Sequence, residues 1–183
     1  MKEISLHILD IMQNSVAANA SLIGLEVIED EEKDILSFTV TDNGKGMSEE
    51  LIKKVIDPFT TGRTTRKVGL GIPLTKLAAE MTGGYIKIES RLGEGTVFYA
   101  VFGYSHIDRQ PLGDMAQTMH QIITSFEDVD FTYRHVVNGR EFSLDTREIK
   151  KILGGVSLKE NDVSLWIYEY LKDGEKEISD NKK

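Results

Sequence analysis

The chain has 183 residues, 40% of them hydrophobic and 28% charged, enough to enclose one sizeable core with a small appendage. Its net charge of −8 argues against a general nucleic-acid surface, and with no cysteine it has no disulfide, thiolate metal site or cysteine nucleophile. A long apolar run and the basic-then-apolar order of a signal peptide are both missing, so the expectation is a soluble, cytoplasmic protein with no membrane partner.

Ile4 to Asn19 reads as a helix, with Ile4, Ile8, Ile11, Met12 and Val16 on a broad apolar arc. Glu3, His7, Asp10 and Asn14 form a polar stripe along another face. Ser21 to Glu29 and Ile35 to Thr41 alternate as strands, joined by the charged turn Asp30 to Asp34. Ser48, followed by Glu49 and Glu50, starts a short helix. Thr60 to Val68 is a polar, basic loop. Ile72 to Thr82 reads as a helix ended by Gly83-Gly84. Tyr85 to Ser90 and Thr96 to Gly103 are two further strands. This order predicts a two-layer α/β (α+β) sandwich, a mixed sheet with helices on one face.

After Gly103 the character changes. Tyr104 to Gly113 reads as a connector and Asp114 to Phe126 as a helix. Val129 to Val137 and Arg140 to Leu144 flank Asn138-Gly139, a hairpin signal. Asp145 caps a helix through Leu153, and Asn161 to Lys172 forms another, carrying Trp166. From Asp173 on, charge and small polar residues predict a frayed tail. The expected division is a domain over 1–104, a small α+β appendage over 105–175 and a flexible tail over 176–183. Net charge is −4 on each side of residue 104, so charge marks no boundary.

Four segments carry chemistry. Asp42-Asn43-Gly44-Lys45-Gly46-Met47 leaves a strand into a turn, where a carboxylate accepts from an exocyclic amine and Gly44 and Gly46 admit a flat ring. Asp10 and Asn14 lie one helical turn apart. An amide oxygen suits Mg2+ that also holds phosphates, and an acid beside it orients or deprotonates water. Arg63, Arg66 and Lys67 lie in a loop without acids that leads into Gly69-Leu70-Gly71 and a helix N-terminus, an arrangement that favours anions. It is neither a Walker A loop nor a Rossmann fingerprint. Gly93-Glu94-Gly95-Thr96 is a hairpin turn whose threonine hydroxyl can share a water with a bound base. Taken singly, these read equally as a solvated helix face, packing glycines and a plain hairpin.

In this order the segments resemble the GHKL superfamily of gyrase, heat-shock chaperones, sensor histidine kinases and the mismatch-repair ATPase. The resemblance covers roughly residues 1–103. His7 to Ser15 matches the N box, and Asp42 to Met47 the G1 box. Asp57-Pro58-Phe59-Thr60-Thr61 with Gly69-Leu70-Gly71 resembles the F and G2 boxes of the histidine-kinase branch. Gly93 to Thr96 matches the terminal glycine-threonine motif. The resemblance implies the Bergerat fold and binding of ATP with Mg2+. It implies that Asn14 ligates Mg2+ between the phosphates and that Asp42 accepts from the adenine amino group. Gly46, with Gly44 and Met47 of the same box, lines the base pocket, and Thr96 joins the waters around the base. Phe59, Thr60, Thr61, Leu70 and the phosphate-contacting Gly69 and Gly71 surround the nucleotide as the loop closes.

The chain departs from the family pattern in three places. Asp10 stands where the ATPase branches carry a glutamate base. Ala17 and Ala18 stand where histidine kinases often carry a lysine, so phosphate charge falls to Arg63, Arg66 or Lys67. The N box begins near residue 7, so the expectation is a stand-alone domain without a phosphoacceptor helical hairpin before it. His7 reads as a packing residue, and His106, His120 and His135 as structural, with one of them as phosphoacceptor the open alternative. The expected function is a regulatory kinase acting in trans on a protein partner in signal transduction. The alternatives are an ATP-driven switch with slow hydrolysis, with a homodimer as one form, and a binding module whose partner meets residues 105–175.

Overall fold

In the computed structural model, residues 1–57 and 69–180 are described. The elements run α1 (Ile4–Ala17), β1 (Leu22–Asp30), β2 (Ile35–Asp42), α2 (Glu49–Ile56), α3 (Gly71–Glu80), β3 (Tyr85–Arg91), β4 (Gly95–Gly103), α4 (Met115–Ser125), β5 (Asp130–Val137), β6 (Arg140–Asp145), α5 (Thr146–Leu153) and α6 (Asn161–Ser179). The strands form one six-stranded sheet in the order β3-β4-β2-β1-β5-β6. Among the described residues only β1 and β5 pair in parallel, so the sheet is mixed as expected.

Strand alternation decides which face is covered. Ile23, Leu25 and Val27 of β1, Phe38 and Val40 of β2, Phe98, Ala100 and Phe102 of β4, and Phe131 and Tyr133 of β5 are all buried. They join the apolar sides of α1, α3, α4 and α6 in one core. The helix layer follows the sheet laterally: α3 packs on β3 and β4, α1 on β1 and β2, α4 on β5, and α6 on β5 and β6. The expected appendage over 105–175 is continuous with this body, because β5 enters the sheet beside β1 and α4 packs on α1. The connector also caps α1, which has no side-chain cap: the N–H groups of Ile4 and Ser5 donate to the carbonyls of Pro111 and Leu112 at 2.9 and 2.7 Å.

The tail predicted from Asp173 is corrected by the structure: α6 continues to Ser179. Ile167, Leu171, Gly174 and Ile178 extend its buried seam at helical spacing. A β-carbon on Gly174 would fall 2.3 Å from the Phe142 ring, so the absence of a side chain lets α6 lie against β6. Charged composition suggested fraying, but one of these charges, Glu175, is taken up by β5. Residues 181–183 lie outside the described residues. Among the described residues, no helix is long and apolar enough to cross a membrane.

Candidate functional site

Six of the sequence-predicted residues meet at the β2–α1–α3 end of the sheet. A cavity of about 250 Å³ there is lined by Asn14, Asp42, Gly46, Met47, Gly69 and Thr96, with an apolar wall from Ile11, Val40, Ile72, Ile88 and Phe98. Asp42 and Thr96 are direct partners in the β2–β4 ladder, which puts both side chains on the helix-covered face. Asp42 is buried, whereas Asn14 is exposed on the rim.

The Asp42 carboxylate is oriented from two sides. One oxygen accepts from the Ser15 hydroxyl at 2.5 Å and the other from the Gly44 backbone N–H at 2.9 Å. The turn that follows is tied down at both ends. Lys45 N–H donates to the Ala18 carbonyl, and Gly93 N–H donates to the Lys45 carbonyl. Gly46 has φ +67°, and a β-carbon there would fall 1.9 Å from the Arg91 carbonyl oxygen. Ser90 links the turn to the β3–β4 hairpin: its hydroxyl accepts from Met47 N–H at 2.8 Å and donates to the Gly95 carbonyl, within 2.8 Å of the Thr96 hydroxyl. These bonds build an acid-floored slot with an apolar lining, which suits a flat heterocycle bearing an amine.

Asp10 lies at the other end of the site. Its carboxylate packs against Gly71, where a β-carbon would sit 1.9 Å from Asp10 Oδ2. It therefore stands beside the first turn of α3 rather than within the base slot. Gly44 falls at the Ala18 turn, and the exposed Leu70 immediately precedes α3. Phe59, Thr60, Thr61, Arg63, Arg66 and Lys67 lie outside the described residues. The donor set fits Mg2+ in one respect only. Among the described residues no group of three His, Asp or Glu side chains could hold a metal, so these residues offer no all-protein cage. A single rim amide is the donor set of an ion that keeps its waters and shares phosphates.

His7 is a packing residue, as expected. Its Nδ1 lies 3.0 Å from the Thr75 hydroxyl and its Nε2 2.9 Å from Gln110 Oε1, joining α1, α3 and the connector. Burial lowers its pKa, against the opposing Gln110 bond. His135 is structural too. It lies buried between Glu175 (2.7 Å) and Glu29 (3.1 Å), and the Tyr133 hydroxyl donates to Glu175 at 2.6 Å. Burial pulls the imidazole pKa down, but the hydrogen bonds and charges of the two glutamates prevail and raise it to about 9. His120 Nε2 meets the Ser164 hydroxyl at 2.8 Å, and exposed His106 is 3.9 Å from Asp108.

Sequence reading missed Ser15, Ser90 and the apolar wall. The signal was strand parity: Val40 with Asp42, Phe98 with Thr96, and Ile88 with Ser90 share the helix-covered face. Ser15 had no such signal, because its role depends on how α1 crosses β2.

The family model for Histidine kinase-, DNA gyrase B-, and HSP90-like ATPase matches residues 2–105. The chain is 32% identical over 97 residues to the sensor histidine kinase YvrG of Bacillus subtilis (strain 168), across 51% of this chain and 17% of that protein. It is 35% identical over 68 residues to the sensor kinase CckA of Brucella abortus (strain 2308), across 37% of this chain and 7% of that protein. The chain thus spans only a small part of these relatives. A crystal structure of the N-terminal domain of a DNA repair protein superposes with a TM-score of 0.50 at 14% identity, over 79% of this chain and 53% of that one, a likeness of fold. With its family model covering more than half of its residues, the chain belongs to the histidine kinase-, DNA gyrase B- and HSP90-like ATPase family.

Proposed function

We propose that this chain binds Mg-ATP and acts as a cytoplasmic regulatory kinase in trans, passing the γ-phosphate to a residue of a protein partner. The observation that carries the reading is the buried Asp42 carboxylate, held by Ser15 and Gly44 at the floor of an apolar slot with Asn14 on its rim. A carboxylate so fixed accepts from the adenine amino group, and bonds to a charged acceptor contribute about 1.5–3 kcal/mol each. Asn14 would hold Mg2+ that neutralises phosphate charge. The apolar wall excludes water from the base, and the phosphates point toward Asp10 and the start of α3.

A partner supplying the nucleophile has a place to approach. Leu70, Leu74, Leu77 and Met81, at offsets of four, three and four along α3, are all exposed. That spacing is the seam a partner helix would match, and it begins beside Gly71, at the phosphate end. The resemblance to sensor kinases supports the transfer reading. A second reading, an ATP-driven switch or homodimer with slow hydrolysis, is favoured by Asp10, whose carboxylate stands against Gly71 where a water could be activated.

Incubation of the protein with γ-labelled ATP and cell lysate separates the two. Label on a second protein supports transfer. Free phosphate without labelled protein, together with nucleotide-dependent dimerisation, supports the switch. Asp10→Asn should abolish hydrolysis under the switch reading and leave transfer to a self-activating nucleophile intact. Asn14→Ala should weaken Mg-ATP more than metal-free nucleotide; equal losses would remove Asn14 as a metal ligand.

A further inference from the structure

A second concavity, of about 980 Å³, extends away from the nucleotide slot. It crosses the open face of the sheet from Thr41 and Gly24 to β6, then wraps round that edge onto Ile149, Ile152, Trp166 and Tyr170. β6 is the terminal strand and, among the described residues, pairs only with β5. Beside it, Trp166 and Tyr170 stack at 5.4 Å and 15°, while Tyr170 also meets Phe142 of β6. Trp166 is 48% exposed, Tyr170 42% and Ile152 83%, so the shelf presents large apolar surface to solvent beside the terminal strand. The lining carries five carboxylates, Glu26, Asp42, Glu94, Asp145 and Glu148, against one cation, Arg134, so it is acidic on balance although Arg134 holds Glu26 at 2.6 Å and Arg147 holds Asp145 at 2.8 Å.

We propose that the β6 edge and the Trp166–Tyr170 shelf bind an extended, cationic segment of a partner protein, which joins the sheet as a seventh strand. Three features select this occupant. The concavity is lined by Ser143 on one face of β6 and Leu144 on the other. An added strand alternates its side chains across both faces, whereas a helix would cover one. One set of its side chains would rest on the aromatic shelf, and the other would lie over Ser143 and the open face. The carboxylates favour lysine or arginine at the second set. A second copy of this chain, itself at −8, would meet charge repulsion there. Asp42 lines both this concavity and the nucleotide slot, but the β6 edge and the shelf lie at the far end, three strands from β2, and the proposal stands whether or not the kinase reading does.

Trp166 is the single tryptophan, so its emission reports occupancy directly. The full chain is titrated with a short peptide of alternating lysine and valine, with its glutamate–valine counterpart, and with a lysine–valine peptide N-methylated at alternate residues. The expected result is a saturable blue shift with the first peptide that weakens in high salt. Binding should be at least about tenfold weaker with the N-methylated peptide, which loses several main-chain hydrogen bonds. Glu148→Lys should shift preference toward the glutamate–valine peptide. The proposal is overturned if the lysine–valine peptide produces no shift, or if the N-methylated peptide binds equally well. A blue shift on concentrating the protein alone, with sedimentation as a dimer, would assign the edge to a second copy and overturn it as well.

Discussion

The two halves of the sheet treat buried acids in opposite ways. On the β2–β4 side, Asp42 is oriented by Ser15 and Gly44 but faces a cavity. On the β5 side, Glu29 and Glu175 close on His135 and Tyr133, and no buried side-chain polar atom among the described residues lacks a partner. A carboxylate held yet open to a slot is preorganised for a ligand. A carboxylate sealed against an imidazolium fastens one element to another, here α6 to β5. Removing Asp42 should therefore cost binding, and breaking the sealed cluster should cost stability.

The largest separation comes from replacing one residue in each half. Asp42→Ala should weaken ATP binding by about 10- to 150-fold, from the loss of a charged acceptor, as read by calorimetry. Gly174→Val should drive a side chain into the Phe142 ring and lower stability by about 1–3 kcal/mol or more in chemical denaturation, with ATP affinity per folded molecule unchanged. If Gly174→Val instead abolished ATP binding in folded protein, the two halves would not be separable.

The sealed cluster also predicts a pH dependence. The imidazole pKa of His135 is about 9 when folded, against an ordinary value of 6.5. Its contribution is fully present below pH 6.5 and is lost as pH rises through about 9. Stability measured between pH 7 and 10 should fall by up to a few kcal/mol in the wild type. His135→Gln should flatten that slope; an unchanged slope would refute the pairing as its source. The smallest expected effect is Ser15→Ala, which leaves Asp42 without its hydroxyl donor. ATP binding should weaken about fivefold, near 1 kcal/mol, with the fold unaffected.

Legibility in the sequence followed the range of the cause. Alternation in Leu36, Phe38 and Val40, the Asn138-Gly139 turn and the Asp145 cap are local, and each element formed where read. Asp42, Gly46, Thr96 and Asn14 were read together from their ordered spacing, and they line one cavity. The parallel pairing of β1 with β5 left no local trace, since it joins segments about a hundred residues apart. The end of α6 was misread for the same reason: Gly174 and Glu175 are explained by Phe142, Tyr133 and His135, which lie on other strands.

The central claim is that Asp42 reads the amino group of a purine triphosphate. The most direct measurement is calorimetric titration of the purified chain with Mg-ATP and, separately, with Mg-GTP, whose carbonyl oxygen stands where adenine has its amine. A saturable heat with ATP and at least about tenfold weaker binding of GTP is the predicted result, because two acceptors would then face each other. Equal affinities, or no heat with either nucleotide, would contradict it.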